Sequence, residues 1–218
     1  MAKCQPLLLC QDNAAKKKAV PARSPLISIL RSPVSSDRII VSLNEGKRIF
    51  TDSRSNLNLK VFQEIYTNTS PNFIVLCFKN KDIYALEFVQ ILSHFLKLQD
   101  CSSSCHDHIL TATQEAYANA FLWSSLDLES SAERRPLDFF LKIEKRLKDN
   151  LYSDRYMGVY AAKSGQGWEV IIHVEGRPIA WPRQGCAEQF RGVNLIQSLT
   201  DKVAFDKKGQ AIRLYFSS

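Results

Sequence analysis

The sequence predicts an α+β fold: a two-layer α/β sandwich with a mixed, mostly antiparallel sheet and helices on one face. Three observations carry this. Short apolar runs rich in β-branched and aromatic residues, such as Phe73-Ile74-Val75-Leu76-Cys77-Phe78, have the length of buried strands. Apolar residues elsewhere recur at intervals of three and four, the period of a helix that buries one face. The later strands come as neighbouring pairs around glycine-containing turns, as antiparallel hairpins require.

The elements follow in order. Residues 1–38 are rich in Lys, Ala, Pro and Ser, with Lys16-Lys17-Lys18 and two Ser-Pro steps, and predict a flexible basic tail. Residues 39–70 predict an extra edge hairpin and a connection. Here Ile39-Ile40-Val41-Ser42-Leu43 and Lys47-Arg48-Ile49-Phe50 flank the turn signal Asn44-Glu45-Gly46. From Pro71 to Ser218 a single domain is expected. It opens with the strand 73–78 and continues with a helix in which Leu86, Phe88, Val89, Ile91, Leu92, Phe95 and Leu96 keep helical spacing. A second helix is expected from Asp107, as N-cap, to Trp123, and a third from Pro136, suited to a first turn, to Asn150. Strands at 159–162 and 168–174 turn at Gly165-Gln166-Gly167. A helix spans 190–200, and a hairpin around Lys207-Lys208-Gly209 closes the chain.

Charge bounds the function. The chain carries a formal +7, and residues 1–60 hold 11 Lys/Arg against 4 Asp/Glu, while the rest holds 18 of each. The excess therefore belongs to the tail, which speaks against a domain with a nucleic-acid-binding face. Six irregularly spaced cysteines do not make a disulfide framework in a chain this long, and no apolar run approaches a membrane span. The expectation is a cytoplasmic protein with no membrane partner.

Glu115 and Asn119 lie four apart in the second helix, so they share one face one turn apart. A carboxylate and a carboxamide so placed suit a general base and a magnesium ligand beside a phosphate. The surrounding stretch, from Gln114 through Leu128, resembles the N-box helix of histidine-kinase-like ATPases, in the subgroup of anti-sigma regulatory kinases. Gly176 in Val174-Glu175-Gly176-Arg177-Pro178 resembles part of that family's first glycine loop. Phe190-Arg191-Gly192-Val193-Asn194-Leu195 resembles the second, and 205–214 the closing hairpin.

The resemblance implies Glu115 as the base, Asn119 as the magnesium ligand, and Gly176, Arg191 and Gly192 at the nucleotide. The departures point the other way. Val174 stands where the family has an Asp that accepts from the adenine amino group. Pro178 replaces a glycine, Phe190 replaces another, and Trp123-Ser124-Ser125-Leu126 replaces a His-Gly-Asn-Leu stretch. The expected function is a degenerate, pseudokinase-like regulatory module of the anti-sigma, partner-switching type. It binds a sigma factor or an anti-anti-sigma-like domain, with a homodimer as a further expectation and no cofactor. The alternative is an active serine/threonine kinase using ATP and magnesium. A third reading is a basic-tail protein that binds nucleic acid or acidic surfaces.

Other constellations carry less. Cys101, Cys105, His106 and His108 offer the ligand types zinc takes, but they abut a helix start and match no common finger spacing. Cys77 and His173 are expected as buried strand residues. Trp123, Trp168 and Trp181 suit core or loop packing more than partner anchoring.

Overall fold

The computed structural model describes residues 26–52, 72–128, 136–165, 167–179 and 191–217. Its sheet is built outward from β3 (Phe73–Lys79), the apolar run expected as a buried strand. On one side β3 pairs in parallel with β2 (Ile49–Thr51), which pairs in parallel with β1 (Ile27–Ile29). On the other side the sheet turns antiparallel through β4 (Tyr156–Ser164), β5 (Gly167–Val174), β7 (Ala211–Ser217) and β6 (Lys202–Phe205). The seven strands run in the order β1-β2-β3-β4-β5-β7-β6. The mixed, mostly antiparallel sheet of the sequence reading is thus present, with both predicted glycine hairpins.

The edge beyond β3 corrects two expectations. The predicted hairpin at 39–50 is instead helix α1 (Ser36–Asn44) followed by β2. Ser36, Ile39 and Leu43 are buried, at the three- and four-residue spacing that puts them on one face. Burial of that face outweighs the strand preference of Ile39-Ile40-Val41. The turn signal stops this helix rather than folding a ribbon. Gly46 at φ +86 donates to Leu43 O (3.0 Å) and Lys47 N donates to Ser42 O (2.9 Å), the paired bonds of a Schellman motif. The second correction is that Ile27–Ile29 and the start of α1, assigned to the tail, belong to the folded body.

The helices follow the predicted order. After the short α2 (Asn80–Ile83) come α3 (Phe88–Leu98) and α4 (Ser103–Asn119), and α4 runs into a π-helical segment at Ala120–Ser125. The expected N-cap moves upstream from Asp107 to Ser102. Next are α5 (Pro136–Lys148), α6 (Asn150–Ser153) and α7 (Arg191–Leu199).

Alternation along the strands divides the core. Ile74, Leu76 and Phe78 of β3, with Val170, Ile172 and Val174 of β5, meet the apolar faces of α1, α3, α4 and α7 in the larger cluster. Phe73, Val75, Cys77, Tyr160 and Ile171 form a smaller buried cluster on the opposite face. The helices in the main cluster therefore share one face of the sheet, as the sequence predicts.

Between α2, α3 and α4 runs a column of stacked rings. Phe88 lies 4.6 Å from Tyr117, Tyr117 is 6.2 Å from Phe121, and Phe121 is 5.8 Å from Tyr84. The Tyr117 hydroxyl donates to Ile83 O at 3.2 Å, which fixes α4 against α2 at the edge of the candidate site.

Candidate functional site

Helix α4 presents its buried residues Cys105, Ile109, Ala112, Thr113 and Ala116 to the core, which turns Glu115 and Asn119 to its half-buried flank. The structure brings the predicted pair together. Asn119 Nδ2 donates to Glu115 Oε1 at 3.3 Å. One turn further, Trp123 Nε1 donates to Asn119 Oδ1 at 3.1 Å. Both ends of the Asn119 carboxamide are thus engaged along one helical ridge. A magnesium ion would take Oδ1 as its ligand on the lone pair that the indole N–H leaves.

Trp123 was not singled out for this role by the sequence reading. The signal was there, because positions 115, 119 and 123 continue the same four-residue spacing. The indole is held in turn by Phe139 of α5, 6.0 Å away between ring centroids.

Glu115 is also met from the side by α7. A Cβ built on Gly192 would fall 1.8 Å from Glu115 Oε1 and 2.9 Å from its Cγ, so a larger residue there would have to move the Glu115 side chain. The negative group lies by the first turn of α7, the end where backbone N–H groups and the helix dipole favour an anion. Arg191 opens α7, but its side chain and Phe190 lie outside the described residues, as do Trp181, Arg183 and Cys186.

The other end of the ridge is closed by the loop after β5. Gly176 has φ +139, and a Cβ there would stand 2.3 Å from Ser124 O, so backbone conformation and contact both demand glycine. Arg177 N donates to Ser124 O at 3.1 Å, and Ser125 Oγ donates to Asn80 Oδ1 at 2.9 Å. Arg155 Nη1 donates to Ser125 O at 2.7 Å, and the Arg177 guanidinium pairs with Asp127. Arg146 and Arg155 also lie over the Tyr152 ring, at 4.0 and 4.7 Å from its centroid. Arg155, and Arg146 through a bond to Asp127 O at 3.5 Å, thus satisfy carbonyls at the end of the helical run, as cations do at a helix C-terminus. Their positions far apart in sequence gave no warning of this.

Val174 is fully buried and belongs to the helix-side core. Its isopropyl group accepts no hydrogen bond, so the acceptor expected for an adenine amino group is replaced by packing. Pro178 is exposed and packs on the β6–β7 turn, 3.0 Å from a Cβ built on Gly209. Among the described residues, Val174 thus offers no acceptor and the Asn119 carboxamide is bonded at both ends.

The remaining candidates resolve as packing. Burial, with the Asp52 and Glu175 charges adding to it, holds the Cys77 thiol far above its ordinary value. Burial likewise pushes Cys101 up to about 12 and raises Cys105. His106 hydrogen-bonds Ser93 and Asp107, and among the described residues no group of three His, Cys, Asp or Glu side chains can hold a metal ion. His173 is buried on the sheet face away from the helices. Desolvation holds its pKa below the ordinary imidazole value, with the Asp206 charge opposing. Trp168 is buried edge-on against Phe95. Among the described residues no helix is long and apolar enough to cross a membrane. No protein-family model matches the chain, and no curated protein matches its sequence.

Proposed function

We propose that this protein is a regulatory protein-binding module of the anti-sigma, partner-switching type, built on a histidine-kinase-like ATPase scaffold whose nucleotide site is weak or lost. One observation carries the reading: Asn119, the residue that would take magnesium, is held between Glu115 and Trp123 on its own helix. Burial of Val174 supports it at the adenine end. Losing one hydrogen bond to a charged group costs about 1.5 to 3 kcal/mol, so two such losses move a micromolar site toward the millimolar range. A module that keeps the α4–α7 contact without nucleotide chemistry retains a surface for a sigma factor or an anti-anti-sigma-like domain, or for a second copy of itself.

A specific observation favours the active-kinase alternative. Glu115 sits half-buried at the start of α7, where a base next to a phosphoryl group belongs. The basic-tail reading spans Lys16 to Arg48, of which residues 16–25, with the lysine triplet, lie outside the described residues.

Thermal unfolding of the full chain with ATP or ADP and magnesium separates the first two. A site with a millimolar dissociation constant adds only about 0.4 kcal/mol at ~1 mM nucleotide, so the midpoint should stay within about 2 °C. A rise several times larger that requires magnesium would overturn the weak-site reading and leave the kinase alternative standing.

A further inference from the structure

The turn between α3 and α4 fixes two sulfur atoms from the backbone up. Cys101 N donates to Leu96 O (3.1 Å) and Asp100 N to Lys97 O (3.2 Å), with Asp100 at φ +52. Helix α3 therefore ends in a Schellman motif that holds Cys101 at its last position. Ser102 then caps α4, and His106 N donates to Ser102 O at 2.8 Å, which sets Cys105 in the first turn. Two consecutive caps thus bring residues four apart in sequence side by side. The Cys101 thiol hydrogen-bonds Cys105, and Cys105 Sγ donates to Ser217 O at 3.4 Å. Lys163 Nζ is tied to the same turn, donating to Gln99 O at 3.2 Å. Cys101 is half-buried, Cys105 is buried, and neither is in a disulfide.

In the reduced chain both thiols pack, and their contact divides the two protons unequally. Burial is the largest influence on Cys105 and raises it, but the hydrogen bond from Cys101 and the Lys163 charge pull it back down. Burial pushes Cys101 up to about 12, and the Cys105 charge adds to that, so the pair gives up its first proton at Cys105. A thiolate is the form that reacts with oxidants, and the first turn of a helix favours it. We propose that Cys101 and Cys105 are a modification site, closed to a reversible intrachain disulfide by hydrogen peroxide and reopened by low-molecular-weight thiols. The Cys105 sulfur attacks the peroxide: an S–O bond forms, the O–O bond breaks, and the departing oxygen leaves as water with the Cys105 proton. The Cys101 sulfur then attacks Cys105: the S–S bond forms, the S–O bond breaks, and the hydroxyl leaves with the Cys101 proton as a second water. Two thiols are oxidised by two electrons, and one peroxide is reduced. Such a bridge is transient, unlike the structural framework that the irregular cysteine spacing does not make. It stands apart from the protein-binding reading and from the fate of the nucleotide site.

The test is peroxide treatment of the reduced full chain, followed by alkylation of the remaining thiols and tryptic mapping. Cleavage after Lys97 and Arg134 leaves Cys101 and Cys105 together, with no other cysteine, in the peptide 98–134. That peptide is expected to become lighter by two hydrogens, to escape alkylation, and to regain both thiols in dithiothreitol. In glutathione buffers the native chain should hold the bridge at least about tenfold more strongly than the urea-unfolded chain, because the fold already sets the sulfur atoms together. A Cys101→Ser chain should stop at a sulfenic acid on Cys105 that dimedone traps, while a Cys105→Ser chain should give far less at Cys101.

Alkylation of the peptide that peroxide leaves unchanged would overturn the proposal. So would sulfinic or sulfonic acid on single cysteines, or bridges from this peptide to other cysteines in place of the internal one. An equal equilibrium constant in urea would show that the fold does not hold the pair together, and would overturn it as well. The wild-type equilibrium decides this even where a serine variant fails to fold. Each of these outcomes is distinct from failure of the regulatory reading, which nucleotide-dependent stabilisation reports.

Discussion

Gly192 and Glu115 define the tightest contact in the candidate site. Alanine at 192 would gain up to about 1 kcal/mol of helix propensity, but its methyl group must push aside the flexible, half-buried Glu115 side chain, which offsets part of that gain. In urea unfolding, Gly192→Ala is expected to be less stabilising in the native background than once Glu115 is alanine. Equal effects in both backgrounds would mean that the two residues do not touch. His173 supplies a second prediction at this scale. Its folded pKa is depressed, so as pH falls through about 6.5 the unfolded chain takes up a proton that the folded protein resists. The unfolded state then binds more protons, and stability is lost as pH falls toward the folded pKa. Melting curves between about pH 7.5 and 5.5 should show a steeper decline for the native chain than for His173→Gln. Parallel slopes would contradict the assignment.

At the scale of elements, the helices and hairpins after residue 72 were legible because their periods agree with their surroundings: α3 in its apolar spacing, β4–β5 and β6–β7 in their glycine turns. Helix α1 was not. Its Ile39-Ile40-Val41 run reads as strand by local preference, and only the distant faces of β2, β3 and α3 reveal that Ile39 and Leu43 form a helical stripe. Leu43→Ala should therefore behave as a core cavity, costing about 2–5 kcal/mol in chemical denaturation, whereas an edge ribbon would lose well under half of that. The candidate site divides in the same way. Glu115 and Asn119 were legible from a spacing of four within one helix. The arginines that hold the Ser124–Asp127 turn come from α5, from the residue before β4 and from the loop after β5, and no local pattern joins them.

For the molecule as a whole, the sheet and its helical face bring α4, the start of α7 and the loop after β5 into one place. The described residues there bond mainly to one another. Asn119 binds Glu115 and Trp123, Gly176 abuts Ser124, and Val174 fills core. This self-satisfaction is the observation on which the proposed protein-binding module, rather than a working kinase, rests. Isothermal titration of the full chain with magnesium ATP tests it most directly. The account predicts a dissociation constant no tighter than about 1 mM, unchanged by Asn119→Ala. A micromolar constant that depends on magnesium and is abolished by Asn119→Ala would contradict it.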